Sequence, residues 1–190
     1  MRSLGVVLTY ILRHKPDAIG IDIDREGWVS SEELVLKCTR LNSFAELENE
    51  VATDNKGRFE FSPDKSLVRC VQGHSCPVVD LTMVRREPPH VLFHGTQSSN
   101  IESILATGIN SGQRHYVHLS DDYITAENVG ARRKNLPACK STSRVLYVDA
   151  YALHGSGQIF FRSNNGVWLT ENIHPDYIYT AIEDIKRGYQ

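Results

Sequence analysis

The sequence predicts an α+β fold in two lobes, and two observations support this. Before a proline-containing break near residue 88, apolar residues recur at helical spacing and two short alternating segments follow; beyond it, short strand-like apolar runs dominate. With 190 residues, 41% of them apolar, the chain is long enough to bury substantial cores. A Rossmann domain is disfavoured, because strands and helices do not alternate regularly and no Gly-x-Gly-x-x-Gly loop occurs.

The first lobe is predicted to contain three helices and a hairpin. Apolar positions between Leu4 and Ile11 have helical spacing, and a proline soon afterwards ends that helix. Ser30 and Ser43 are each followed three positions later by glutamate, the capping-box spacing that begins a helix. Arg58–Phe61 and Leu67–Val71 alternate as strands around a Ser-Pro-Asp-Lys-Ser turn. This order of elements is typical of a winged helix.

The second lobe is predicted to be rich in strands. It follows an interlobe linker at residues 85–89, Arg-Arg-Glu-Pro-Pro. Val91–Gly95 has the pattern of a buried strand, and the helix after it ends at Gly108. Further strands are predicted at Tyr116–Leu119, Arg144–Val148, Ile159–Phe161, Gly166–Leu169 and Tyr177–Tyr179, with one helix over residues 124–133.

Composition excludes several classes of function. Residues 1–89 carry 12 basic and 14 acidic side chains and residues 90–190 carry nine of each, so any nucleic-acid contact must be local. No apolar run approaches the ~20 residues that span a bilayer, and a secretory signal is not expected. The four cysteines show no Cys-x-x-Cys pair, which disfavours a zinc site or disulfide framework and makes a reducing cytoplasm the expected compartment.

Arginines and histidines beside glycines are the remaining candidates for chemistry, since no carboxylate pair or metal-type spacing stands out. They lie in five segments, at residues 12–16, 69–75, 94–96, 115–120 and 165–170. Arginine binds two phosphate oxygens with its planar fork and keeps its charge, so the pattern indicates an anion site. Structural explanations stay open: a solvated helix end for Arg13, a cross-strand ion pair for Arg69, and core positions for His118 and Trp168.

Seven short motifs follow one another between Leu4 and Ile178. They are Leu-Arg-His-Lys-Pro from residue 12, Gly-Trp-Val from 27, Arg-x-x-Gln-Gly-His-Ser from 69, His-Gly-Thr from 94, Arg-His-Tyr-Val-His-Leu-Ser from 114, Val-Gly-Ala-Arg from 129 and Asn-Gly-Val-Trp-Leu-Thr from 165. No single motif is decisive, but their combination is specific. In this order the chain resembles the RNA 2′-phosphotransferase family, the KptA-type enzymes.

This resemblance implies a winged-helix RNA-binding lobe over residues 1–84 and an ADP-ribosyltransferase-like, NAD-binding lobe over residues 90–190. It implies an enzyme that moves an internal 2′-phosphate of RNA, such as that of a tRNA splice junction, to NAD as co-substrate. The products are 2′-hydroxyl RNA, nicotinamide and ADP-ribose 1″,2″-cyclic phosphate, formed through an RNA-2′-phospho-ADP-ribose intermediate. No metal and no membrane takes part, and we expect a monomer.

The resemblance also implies the site residues. The catalytic tetrad of the family falls on Arg13, His14, Arg69 and Arg132, although the adjacent Arg133 leaves the fourth position open by one residue. The residues that would line the NAD pocket are His94, Gly95, Thr96, His118, Ser120, Asn165 and Val167, and those that would hold RNA phosphates are Lys15, His74 and Ser75. Many ADP-ribosyltransferases have a glutamate where Val167 stands, so this residue argues against protein modification.

Two other functions compete with the enzyme. A winged-helix nucleic-acid binder could sense NAD or ADP-ribose without turnover, and ADP-ribosylation of nucleic-acid ends or of a protein would share the first chemical step. The presence of all four tetrad residues favours catalysis over sensing.

Overall fold

Residues 3–131 and 143–187 are described by the structure, which is a computed structural model. The chain divides into two units, one that runs to Met83 and includes Gln113–His115, and one that holds Val84–Gly112 and the residues from Tyr116 onward. Helices and small antiparallel sheets occur in the described parts of the chain, which confirms the predicted mixture of α and β structure. Over the same residues, no helix is long and apolar enough to cross a membrane.

The first unit contains all the elements that the sequence predicts there, and one more strand. Its α-helices and strands are α1 (Leu4–His14), β1 (Trp28–Ser30), α2 (Ser31–Lys37), α3 (Phe44–Thr53), β2 (Phe59–Phe61) and β3 (Leu67–Cys70), and a 3-10 helix at Pro16–Ile19 follows α1. The hydroxyl groups of Ser30 and Ser43 accept the backbone N–H groups of Glu33 and Glu46, as capping requires. Strand β1 is not predicted from sequence, because its stability comes from pairing with β3, which lies far along the chain.

The core of the first unit fixes the end of α1 against the sheet. The antiparallel sheet has the order β1-β3-β2, so β3 is its central strand. Its core includes Leu8, Ile11, Leu12, Val29, Leu34, Leu47, Phe59, Val68 and Cys70. Burial of apolar side chains is the main force that holds a helix on a sheet, so the last turn of α1 is held firmly against β3.

The second unit is built on two antiparallel sheets. Its described elements are β4 (Val91–Gln97), α4 (Ile101–Thr107), β5 (Val117–Leu119), α5 (Tyr123–Gly130), β6 (Ser143–Asp149), α6 (Ala150–Gly155), β7 (Phe160–Arg162), β8 (Trp168–Thr170), β9 (Ile178–Tyr179) and α7 (Ile182–Arg187). The strand orders are β4-β6-β9 and β5-β8-β7. A bridge between Phe93 and Ser120 connects β4 with β5, and this brings the two sheets together.

The second unit also differs from the sequence prediction. Strand β8 begins at Trp168, two residues later than expected, because Gly166 occupies a turn with φ of +82°. Helices α6 and α7 are not predicted, since six residues give little periodicity. Within residues 85–89, Arg85 forms a β-bridge with Phe161 and Arg86 donates its backbone N–H to the Phe160 carbonyl, while the role of this segment as an interlobe linker stays a prediction.

Candidate functional site

Arg13 is a buried arginine at the end of α1. Only 7% of the residue is exposed, so the alternative of a solvated helix end is wrong for this side chain. Its Nε and Nη2 atoms are buried and have no hydrogen-bond partner among the described residues. Since buried donors are almost always paired in proteins, these two nitrogens are candidates for donating to an anion.

The segment from Gln72 to Cys76 closes on the end of α1. The backbone N–H groups of Ser75 and Cys76 donate to the carbonyl of Arg13, at 3.0 and 3.3 Å. His14 Nδ1 and Ser75 Oγ are 2.8 Å apart. Gly73 has φ of +86°, and a Cβ atom there would lie 3.2 Å from Arg13 Nη1. Two motifs that begin 57 residues apart in sequence, at Leu12 and Arg69, therefore form one local arrangement.

His74 lies in the same arrangement and is almost fully buried, with 3% of the residue exposed. Neither ring nitrogen has a partner among the described residues. Burial lowers the pKa of His74 to about 3, and the nearby charges of Arg13, His115, His14 and Arg69 act in the same direction. A Cβ atom on Gly27 would lie 3.1 Å from Nε2, so this glycine makes room for the ring. His74 is thus a neutral side chain whose N–H group can serve as a donor.

The lowered pKa of His74 makes stability depend on pH. The unfolded chain takes up a proton as the pH falls through about 6.5, whereas the folded protein resists protonation down to about pH 3. Between pH 7 and pH 5 the free energy of unfolding of the wild type should therefore fall by about 2 kcal/mol more than that of His74→Leu. Urea unfolding at both pH values measures this difference. The control is His154→Leu, at an exposed position, and equal losses in wild type and His74→Leu would contradict the prediction.

Arg69 projects from the central strand β3 and is held by acidic neighbours. Glu60, directly opposite on β2, accepts from Nε at 2.7 Å and Nη2 at 2.6 Å. The backbone carbonyl of Glu26 accepts from Nη1 at 2.9 Å, and the Trp28 ring lies 4.3 Å from the guanidinium carbon. The cross-strand ion pair that the sequence left open is present. These three partners were not identified from sequence; the glutamate in the alternating Phe59–Phe61 segment was the available signal for one of them.

The other residues predicted to bind phosphate are Lys15 and Arg132, with Arg133 as the alternative to Arg132. Lys15 is exposed and follows α1 directly, with its N–H bound to the carbonyls of Tyr10 and Ile11. Arg132 and Arg133 lie outside the described residues, so their assignment stays a prediction. The structure brings together Arg13, His14, His74 and Ser75, and the charge of Arg69 reaches His74.

The predicted nucleotide residues on β4 are half-buried or buried. His94 Nδ1 lies 3.3 Å from the carbonyl of His118, and burial lowers the pKa of His94. Thr96 is buried, and its hydroxyl accepts from the side chain of Asn100. Gly95 allows β4 and α5 to pack closely, because a Cβ atom at this position would overlap the backbone carbonyl of Ala126 in α5. Whether Gly95 also approaches a nucleotide stays a prediction.

The other predicted nucleotide residues lie on β5 and in the turn before β8. Ser120 pairs with Phe93 of β4 through both backbone hydrogen bonds, so His118 and Ser120 lie close to His94. Ser163 organises the turn: its hydroxyl donates to Asn165 Oδ1 and accepts from the backbone N–H of Val167. Val167 precedes Trp168, which pairs with Leu119. Trp168 is 5% exposed, which confirms its expected core position.

Within residues 3–131 and 143–187, no group of three or more His, Cys, Asp and Glu side chains could hold a metal ion. Cys38, Cys70 and Cys76 are free and buried. Burial raises the pKa of Cys70 to about 11, so its sulfur is a neutral neighbour of Arg13.

Comparisons with known proteins give a consistent result. The model of the RNA 2′-phosphotransferase, Tpt1 / KptA family, matches residues 2–172. A probable RNA 2′-phosphotransferase of Escherichia coli (strain K12 / MC4100 / BW2952) is 41% identical over 174 residues, which cover 90% of this chain and 91% of the relative. The RNA 2′-phosphotransferase of Escherichia coli (strain K12) is 40% identical over the same shares of both chains. The resemblance seen in the motifs is confirmed, and the chain belongs to the RNA 2′-phosphotransferase family.

Proposed function

We propose that this protein is an NAD-dependent RNA 2′-phosphotransferase, which moves an internal 2′-phosphate of RNA to NAD and leaves a 2′-hydroxyl group. Nicotinamide and ADP-ribose 1″,2″-cyclic phosphate are the other products. Relatives that carry the name RNA 2′-phosphotransferase, at 40 and 41% identity, support the reaction class. The observation that carries the proposal is the buried Arg13, with two unpartnered nitrogens, beside His74, whose two ring nitrogens also lack partners among the described residues.

The first role in this proposal is phosphate binding by Arg13. Its planar guanidinium binds two phosphate oxygens at once, and its burial strengthens the attraction because little water competes. Charge is redistributed over the phosphate oxygens as the group is transferred. A fixed, desolvated arginine stabilises that charge without having to reorganise, which is the usual origin of large electrostatic effects in catalysis.

The other polar side chains near Arg13 have supporting roles in the proposal. His14, oriented by its hydrogen bond to Ser75, binds the phosphate or helps to move a proton in the second step. Arg69 supplies a second guanidinium, and Arg132 is the proposed fourth member of the tetrad. Lys15, His74 and Ser75 hold RNA phosphates, which fixes the position of the RNA without reading its bases.

NAD is the proposed acceptor of the phosphate and supplies the ribose carbon and the nicotinamide leaving group. His94 and Thr96 on β4, with His118 on β5 and Ser120 directly after it, would orient it. Asn165 and Val167, in the turn held by Ser163, would lie near the nicotinamide end. Val167 offers no carboxylate to position a protein acceptor, which favours RNA phosphate as the nucleophile.

We further infer that the first unit is a winged helix and the second an ADP-ribosyltransferase-like domain. The order α1, β1, α2, α3, β2, β3 and the three-stranded antiparallel sheet support the winged helix. Two antiparallel three-stranded sheets, joined at Phe93 and Ser120, support the second assignment. The protein is proposed to act in the cytoplasm as a monomer, on a 2′-phosphorylated RNA such as a spliced tRNA.

The proposal is tested with two RNA oligonucleotides of one sequence, one with an internal 2′-phosphate and one with a 2′-hydroxyl at that position. We expect the protein to release nicotinamide from NAD in amounts equal to the 2′-phosphorylated RNA, and none above background with the 2′-hydroxyl RNA. A protein that binds both substrates without releasing nicotinamide would instead be the NAD-sensing nucleic-acid binder. Equal release with both RNAs would indicate NAD hydrolysis and would contradict the proposed function.

A further inference from the structure

Arg69 is held by partners from two neighbouring strands and from the loop that precedes one of them. In the register of the sheet, Glu60 of β2 lies on one side of Arg69 and Trp28 of β1 on the other. Nε and Nη2 both donate to Oε1 of Glu60, at 2.7 and 2.6 Å. The guanidinium carbon is 4.3 Å from the centre of the Trp28 ring. Glu60 therefore restrains the guanidinium in its plane, and Trp28 restrains it from one face.

Glu60 is the carboxylate that binds Arg69 most directly. Glu26 reaches Arg69 mainly through its backbone carbonyl, and its carboxylate oxygen is 3.5 Å from Nη1. Both oxygens of that carboxylate also accept from Thr82, and these hydrogen bonds are the main reason for the lowered pKa of Glu26. The two glutamates thus differ: the Glu26 carboxylate is bound mainly to Thr82 and only at 3.5 Å to Arg69, whereas the Glu60 carboxylate makes two short contacts with Arg69.

The arrangement leaves one end of the Arg69 guanidinium for a ligand. An arginine has five N–H donors in a fixed plane. Glu60 occupies the Nε and Nη2 edge, and Glu26 accepts from Nη1 through its backbone carbonyl at 2.9 Å and its carboxylate at 3.5 Å. Among the described residues, these contacts leave the second N–H group of Nη2 for a phosphate oxygen. The side chain is 19% exposed, which is compatible with access by a substrate group.

We propose that Glu60 is a positioning residue for the transfer reaction, which acts through Arg69 by fixing its guanidinium before the phosphate binds. This inference rests on the proposed function. Arginine has a long side chain with much rotational freedom, and restraint by Glu60 and Trp28 removes the cost of ordering it during the reaction. A displacement of about 1 Å at a reacting group can slow catalysis by about 10²-fold, so the loss of this restraint should be visible in kcat.

The test compares Glu60→Ala and Glu60→Gln with the wild type in the NAD-dependent transfer assay. We expect Glu60→Ala to lower kcat by about tenfold to hundredfold, with little change in KM for NAD. Glu60→Gln keeps an oxygen acceptor on Arg69 and should recover part of this loss. The matched control is Glu48→Ala, which breaks the exposed ion pair with Lys65 in the same unit and should leave kcat unchanged. Thermal unfolding is measured for every variant.

A double-mutant cycle separates positioning from a purely structural role. If Glu60 acts through Arg69, Glu60→Ala causes no further loss when it is added to Arg69→Ala. Equal slowing by Glu60→Ala in the wild type and in Arg69→Ala would overturn the inference, as would full activity of folded Glu60→Ala and Glu60→Gln. Either result leaves the proposed function standing. A wild-type protein without NAD-dependent transfer would instead remove the proposed function itself.

Discussion

Replacement of Arg13 by methionine should slow 2′-phosphate transfer by about 10²-fold to 10³-fold and leave the protein as stable as before or more stable. The loss of activity is expected because the guanidinium is proposed to bind the phosphate directly. The unusual part of the prediction concerns stability. Nε and Nη2 of Arg13 have no partners among the described residues, so a methionine of similar length removes a buried charge at little cost in contacts.

Arg58→Met is the matched control for this prediction. Arg58 lies in the same unit and its guanidinium is bound to Asp54, whose side chain is only 2% exposed. The substitution leaves that carboxylate buried without its partner, so it should lower the free energy of unfolding by about 3 kcal/mol. Urea unfolding and single-turnover transfer are measured for both variants. The account of Arg13 would be contradicted if Arg13→Met lost stability as Arg58→Met does while retaining its activity.

Replacement of Gly95 by alanine should destabilise the second unit by about 3 kcal/mol or more. Two glycines let β4 and α5 approach closely: a Cβ atom on Gly95 would overlap the Ala126 carbonyl, and one on Gly130 would lie 2.8 Å from Thr96 N. Backbone atoms cannot move aside as a flexible side chain can, so α5 as a whole must move away from β4. Thermal unfolding without NAD measures the effect.

Gly155→Ala serves as the control for Gly95→Ala. Gly155 ends α6 in the same unit, and a Cβ atom there would have no neighbour within 4 Å. Alanine is also the better helix former, so this variant should be as stable as the wild type or slightly more stable. Equal melting temperatures for Gly95→Ala and the wild type would show that the glycine is not required for packing.

Local sequence patterns predicted the parts of the fold that depend on neighbouring residues. Helix α1 follows from its apolar spacing, and α2 and α3 follow from capping pairs whose hydrogen bonds are present. Strand β1 could not be found, because its stability comes from pairing with β3, about 40 residues later in the chain. Short elements of this kind are determined by tertiary contacts more than by their own sequence.

The candidate site was predictable as a set of residues but not as a geometry. The motifs named Arg13, His14, Arg69, His74 and Ser75, and resemblance to the family gave them roles. Spacing alone left a solvated helix end open for Arg13, because basic residues near a helix C-terminus interact favourably with the helix dipole while exposed. Its burial depends on the Gln72–Cys76 segment folding over the helix end, a long-range contact. The choice of Glu60 as the partner of Arg69 likewise depends on strand register.

The central claim is that the protein transfers the 2′-phosphate of RNA to NAD with the help of Arg13. The most direct test follows a radioactive label on that phosphate in an RNA incubated with the wild-type protein, with and without NAD. We predict that the label moves to ADP-ribose cyclic phosphate only when NAD is present, and that Arg13→Met transfers it at least about 10²-fold more slowly. Label that stays on the RNA with folded wild-type protein and NAD, or that appears as inorganic phosphate without NAD, would contradict the claim.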